Sequence, residues 1–183
     1  MTDRPIIFSA PMVRALLDGH KTQTRRLAAL KNGSANPMAG WRVGDRLYVR
    51  EAHAVVGAVD PGWVLYRASG YLAECERHGF DKPYPLESEV RWRPSIHMPR
   101  WASRLTLIVE NIRTHELQRI HPEDAKAEGW SESEAFLPAT WFRNLWDSLH
   151  DKRGERWMDN PLVVALTFRV EHGNVDTPAR RSP

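Results

Sequence analysis

Apolar positions fall in short, cleanly bounded runs along the 183 residues of this chain. Ile6–Ser9 is a compact apolar run that predicts a strand. Ser9-Ala10-Pro11 then reads as a helix start, with serine as the cap and proline in the first turn. Met12, Val13, Leu16 and Leu17 recur at helical spacing, and Gly19 is placed to end that helix. Arg46–Arg50 (RLYVR) and Trp63–Arg67 (WVLYR) alternate as strands do, and Arg104–Ile112 (RLTLIVENI) is the strongest internal strand. Pro122–Gly129 opens on proline and closes on glycine, the punctuation of a two-turn helix. Pro138–His150 is amphipathic, with Trp141, Leu145, Trp146 and Leu149 along one predicted face, and Leu162–Val170 predicts a buried strand.

The runs between these elements are punctuated differently. Asn32–Gly40 is rich in Gly, Asn, Ser and Pro and predicts a loop. Gly70–Pro94 is irregular, mixed in charge and proline-containing, and reads as part of an insertion spanning 52–100. The stretch 172–183, ending TPARRSP, predicts a disordered tail after a single domain over 1–171. Strands and helices do not interleave regularly, which argues against a parallel doubly wound sheet. An α+β fold around a small curved sheet or barrel is the expectation.

Composition narrows the function classes. Hydrophobic residues at 42% and charged residues at 27% are ordinary for a globular chain. No apolar run approaches the roughly 18 residues of a membrane span, so the expectation is a cytoplasmic protein with no membrane partner. The lone cysteine, Cys75, excludes an internal disulfide framework. His53, His78, His115, His121 and His150 lack metal-ligand spacing, so no metal and no cofactor are expected. The net charge is only +3, yet residues 1–113 hold 17 Lys+Arg against 11 Asp+Glu. Such a basic half points to a nucleotide or nucleic-acid partner.

The densest chemistry is Gly19–Arg26 (GHKTQTRR), which has a lysine, two threonines and two arginines without an acid. If Lys21–Arg26 is extended, Lys21, Gln23 and Arg25 point one way while Thr22, Thr24 and Arg26 point the other. If it curls after the helix, Lys21 and Thr24 share a face.

GHKTQTRR, then GDRLYVRE at Gly44–Glu51, then EDAKAEGW at Glu123–Trp130, and a closing strand after an aromatic helix together resemble the ASCH family. That resemblance implies a PUA-like small β-barrel with flanking helices and an association with RNA. The stretch RWRPSIHMPRWASRLTL at Arg91–Leu107 is similar to the phage and prophage branch, and Ala52–Arg100 fits the family least. One ASCH branch hydrolyses N4-acetylcytidine to cytidine and acetate, using the lysine and threonine of a K-T-x-T motif and a later glutamate. Matched by motif, the resemblance puts those roles on Lys21, Thr24 and Glu128.

Two assignments of the chemistry stand open. Thr24 can supply a nucleophilic hydroxyl with Lys21 as its base, provided burial or the neighbouring Arg25 and Arg26 keep the amine neutral. Alternatively, a Glu128 carboxylate touching Lys21 keeps it an ammonium that polarises the acyl oxygen, while Glu128 activates water or moves the proton.

A second feature is Arg91–Trp101, continuing to Arg104, whose arginines and tryptophans suit base stacking and phosphate pairing. Trp92 or Trp101 is expected to stack on a base, and Arg93 or Arg100 to meet a phosphate. With Arg25, Arg26 and Glu51 these make up the expected substrate-binding set. The partner expected is a cytidine-like nucleoside. The competing readings are a non-catalytic RNA-binding module and a metal-independent ribonuclease using the same basic cleft.

Overall fold

A computed structural model describes residues 2–31, 34–36, 40–57 and 62–177. Strands are β1 (Asp3–Ile7), β2 (Gln23–Leu27), β3 (Ala29–Lys31), β4 (Ser34–Asn36), β5 (Arg46–Arg50), β6 (His53–Val56), β7 (Trp63–Tyr66), β8 (Leu105–Glu116) and β9 (Leu162–His172). Helices are α1 (Ala10–Leu17), α2 (Tyr71–His78), α3 (Pro122–Ala127) and α4 (Pro138–Leu149). A five-stranded sheet runs in the order β1-β5-β8-β9-β2, with β3–β4 and β6–β7 as separate two-stranded pairs. The class is α+β, as the unequal spacing of strands and helices requires. No helix among the described residues is long and apolar enough to cross a membrane.

Two compact units divide the chain. The first is built mainly of Ala15–Arg46 and Leu107–Val170. Its β2 pairs antiparallel with β9, setting Thr24 opposite Leu166 and Arg25 opposite Ala165. Leu107, Val109, Val163 and Leu166 are buried there, and α4 adds Trp141, Phe142 and Trp146. The Trp146 indole donates to the Glu155 carbonyl at 2.7 Å, so this buried ring loses no polar partner. Leu149, expected on the same face, is 61% exposed, and Phe142 takes its place inside. With 3.6 residues per turn the buried stripe drifts across the helix, and the last turn falls off it.

The second unit comprises Asp3–Arg14, Leu47–Thr106 and the chain from Glu171. Much of the segment read as an irregular insertion is regular structure. Tyr71–His78 is a helix whose Tyr71 and Cys75 are buried against Ala54 and Leu65, and Gly79 at φ 68° closes it. His53–Val56 pairs antiparallel with Trp63–Tyr66. The predicted loop Asn32–Gly40 contains a strand at Ser34–Asn36 paired with Ala29–Lys31, and its other positions up to Ala39, apart from Gly40, lie outside the described residues.

The tail is also corrected over part of its length. Residues 172–177 are ordered: Gly173 N–H donates to the Arg104 carbonyl at 2.8 Å, and Val175 is buried. The Asn174 amide donates to the carbonyls of Arg100 (2.7 Å), Ser103 (2.9 Å) and Trp101 (3.1 Å). Residues 178–183 lie outside the described residues. One side-chain amide thus holds the 3₁₀ turn at Arg100–Ala102 and the Ser103 carbonyl that follows it. Asn174→Ala is therefore expected to destabilise the protein by about 1–2 kcal/mol. Urea denaturation followed by circular dichroism checks this, with Thr177→Ala as the silent control.

Candidate active site

The first unit carries a buried charge cluster assembled by the ends of two short elements. After α1, the Lys21 N–H donates to the Ala15 carbonyl at 2.9 Å, which turns the chain back along the helix. The Thr22 N–H then donates to the Ala127 carbonyl at 2.8 Å, and Lys21 forms an isolated antiparallel bridge with Glu128. This backbone contact brings together residues 107 positions apart in sequence.

Glu128 caps the C-terminus of α3, and Gly129 follows it at φ +111°. A Cβ on residue 129 would lie 3.0 Å from the Ala15 Cβ and 3.4 Å from the Lys21 Cβ. Glycine is required there twice, for the backbone angle and for the close approach that seats Lys21. The E-G pair of EDAKAEGW is thus a geometric unit.

Lys21 is 1% exposed and Glu128 3%, so both charges are buried. Lys21 Nζ donates to Glu128 Oε2 and to the Glu128 carbonyl, both at 2.8 Å. Arg25 Nη1 donates to Glu128 Oε1 at 3.0 Å, and Arg25 Nη2 donates to Asp124 Oδ2 at 3.0 Å. Gln23 and Arg113 both donate to Asp124 Oδ1 at 3.0 Å. The Arg25 guanidinium also lies 5.8 Å from the centre of the Phe142 ring.

Burial pulls Lys21 below the ordinary lysine value; the Glu128 carboxylate opposes this, and the Arg26 and Arg25 charges reinforce it. Burial lowers Arg26 as well, with Glu128 opposing. Burial acts to raise the Asp124 carboxyl, but Arg113, Gln23 and Arg25 outweigh it and hold the group below the ordinary carboxylate value.

Residues 23–27 are extended, so the alternating arrangement of side chains is the one adopted. Gln23 and Arg25 reach α3 from one face of β2, while Thr24 and Arg26 take the other. Thr24 is buried. Its hydroxyl takes no part in the hydrogen bonds that hold Lys21 and Glu128. The sequence reading missed Asp124 and Gln23. Asp124 stands three residues after His121, the start of α3, where an acid reads as an ordinary first-turn carboxylate. A cavity of about 490 Å³ in the same unit is lined by Gly19, His20, Thr22, Lys126, Trp130 and Ser131. Trp130 was not among the expected stacking residues. Its indole is fixed by donation to the Phe136 carbonyl at 2.8 Å.

The remaining expected binding residues belong to the second unit, and most are already engaged. Glu51 is buried and accepts from Arg104 Nε at 2.8 Å and Nη2 at 2.9 Å. Burial pushes the Glu51 carboxyl up, opposed by Arg104. Arg104 also donates to Ser69 Oγ at 2.8 Å and stacks 4.0 Å over the Tyr66 ring, whose hydroxyl burial pushes up to about 12. Arg100 is ion-paired to Asp3 and Asp176, which raises its pKa further. Trp92 packs against the cluster of Ala54, Leu65, Tyr71 and Cys75, beneath Arg67. Arg93 and Trp101 are exposed.

No family model matches this chain, and no curated protein matches it. Among solved structures it is similar to an ASCH domain from Lactobacillus crispatus JV V101. The identity is 11%, with 92% of this chain and 79% of that chain covered, at a TM-score of 0.48.

Removing the one carboxylate between two buried cations is the most damaging change available to this cluster. Glu128→Gln is expected to cost about 3–5 kcal/mol, because Lys21 and Arg25 are left buried against a neutral amide. Lys21→Met is expected to cost less, since Arg25 still neutralises Glu128. Added to Glu128→Gln, it should restore part of the loss. Denaturation midpoints of the two single variants and the double variant measure this order.

Proposed function

We propose that this chain is an ASCH-type amidohydrolase that removes the N4-acyl group of an N4-acetylcytidine-type nucleoside, with Lys21, Thr24 and Glu128 as its catalytic group. The observation that carries the reading is the buried Lys21–Glu128 pair at 2.8 Å, clamped by Arg25, on the lysine of the K-T-x-T motif and the glutamate of EDAKAEGW. A lysine held by donation to both the carboxylate and the carbonyl of Glu128 acts as an ammonium. This favours the second of the two assignments.

Glu128 accepts a proton from water, and the water oxygen bonds to the acyl carbon. Lys21 stabilises the charge that gathers on the acyl oxygen, and Thr24, which faces the other side of β2, is included on the K-T-x-T motif. The C–N4 bond then breaks as Glu128 returns its proton to N4, releasing cytidine and a carboxylate. Water supplies every atom that is added, so no cofactor enters the balance. Trp130, rather than Trp92 or Trp101, offers its face to the pyrimidine from the cavity lined by the neighbours of Lys21 and Glu128.

Incubation with N4-acetylcytidine, followed by chromatography and mass spectrometry, tests the reading. The wild type is expected to release cytidine and acetate. Lys21→Ala, Thr24→Ala and Glu128→Gln should each lose about 10²–10⁴-fold in kcat, with folding checked by circular dichroism. Trp130→Ala should raise KM more than it lowers kcat. Absence of turnover by the folded wild type across several acyl groups overturns the proposal.

The pH profile carries a separate expectation. Lys21 serves as an ammonium and burial depresses its pKa, so activity is lost as pH rises through that depressed value. The alkaline limb should therefore lie below 10.5, the ordinary lysine value. It is measured as kcat against pH.

A further inference from the structure

We propose that Arg50, His53, Arg93 and His97, in the second unit, form a binding site for a phosphate group. The argument begins with His53, which is 0% exposed. Neither of its ring nitrogens has a hydrogen-bond partner of good geometry among the described residues. The Glu51 backbone supplies a weak hydrogen bond that favours a proton on the ring. A buried imidazole left in this condition forfeits the water it would otherwise hold, so each nitrogen lacking a partner is costly.

The surroundings of that ring are uniformly cationic. His53 exchanges both backbone hydrogen bonds with Arg93, 3.1 Å for His53 N–H to the Arg93 carbonyl and 2.7 Å for the reverse. Directly paired residues of an antiparallel ladder project side chains to one face with Cβ atoms about 5 Å apart, so the Arg93 guanidinium rises beside the His53 ring. Arg50 Nη2 donates to the Ile96 carbonyl, which ties Arg50 to the 3₁₀ turn that carries His97. Arg50 Nε is itself buried without a hydrogen-bond partner. Arg93, Arg50 and His97 all act on His53 as like charges and disfavour its protonation, after burial itself.

Among the described residues, no carboxylate is ion-paired with these groups. Glu51 turns its carboxylate to Arg104, and Glu74 is held by Arg77. Asp3 and Asp176 are drawn to Arg100. The cross-strand neighbour of His53 on its other side, Tyr66, directs its hydroxyl to the Ala102 carbonyl at 2.9 Å. Arg77, Arg100 and Arg104 thus have acids, while among the described residues the group around His53 has none. A phosphate held by the exposed Arg93 fork and His97 would supply the missing negative charge in front of the buried His53 ring and Arg50 Nε. Of the two arginines expected from sequence to meet a phosphate, Arg100 is ion-paired to Asp3 and Asp176, and the proposal rests on Arg93. The proposal is independent of the hydrolysis, since none of its residues belongs to the Lys21–Glu128 cluster.

The test follows the His53 ring resonances by NMR at pH 7 while inorganic phosphate, cytidine 5′-monophosphate or a short oligocytidylate is added to the full chain. Inorganic phosphate is expected to shift the His53 signals saturably and to raise the pH at which they titrate. Arg93→Glu should weaken binding at least tenfold, while Arg91→Glu, at an exposed arginine two positions away, should leave it unchanged. Tighter binding of the monophosphate assigns a free nucleotide as the source, and tighter binding of the oligomer assigns an RNA chain. Either result supports the site. Absence of a saturable shift with all three probes overturns it. So does binding that Arg93→Glu leaves intact or Arg91→Glu weakens equally.

Discussion

The constraint on which this molecule turns is a carboxylate withdrawn from bulk solvent. Glu128, 3% exposed, accepts from Lys21 and Arg25 inside the protein, and a carboxylate in low dielectric is tolerable only beside positive charge. Two cations supply that charge, Lys21 on one oxygen and Arg25 on the other. Each brings an element with it. Lys21 ties the end of α1 to the end of α3, and Arg25 ties β2 to α3 through both Glu128 and Asp124. The cluster therefore fixes where α3 ends relative to β2. That register cannot slip by one residue without exchanging Arg25 for Thr24 or Arg26.

A structural ion pair and a catalytic one obey the same electrostatics, so burial alone does not separate them. The second unit supplies the contrast. Glu51 and Glu74 are as deeply buried as Glu128, but Arg104 meets Glu51 with two parallel donors, lies over Tyr66 and donates to Ser69. That arrangement is planar and saturated, the form in which arginine excels as a fixture. In the first unit one partner is a lysine, a compact charge whose protonation responds to burial, and its pKa is pulled down. A cation with a perturbed pKa beside a carboxylate is more common at functional sites than in fixtures. The contrast separates Lys21 from Arg104, whose donors are saturated by fixed partners.

How much of this was legible in the sequence follows from how local each determinant is. The α+β class, both edges of α1 and the strand at Arg46–Arg50 were readable because caps, prolines and alternation are short-range signals. The segments Gly19–Arg26 and Glu123–Trp130 stood out for their chemistry, and the structure joins them at Lys21 and Glu128. Helix α2 was hidden because half of YLAECERH is charged or histidine and only Tyr71 and Cys75 seek the core strongly. The fate of Arg100 was not readable at all. Asp176 lies 76 positions away, and nothing local distinguishes an arginine that will be neutralised from one that will not. For the same reason the sequence offered Arg93 and Arg100 alike for a phosphate, since the position of Arg93 opposite His53 is a product of backbone pairing.

Charge inventory explains more of this protein than net charge does. The excess of arginine in the first 113 residues suggested an open basic cleft, yet Arg25, Arg77, Arg100 and Arg104 are each bound to a carboxylate. A guanidinium bound in this way contributes little field to an incoming anion, because its partner cancels it at any distance beyond a few ångströms. Affinity for phosphate must then come from cations that the fold leaves without acids. Arg50 and Arg93 are such cations in the second unit, and the buried His53 beside them converts a diffuse preference for anions into a place with donors. A basic composition becomes a site only where pairing has been withheld.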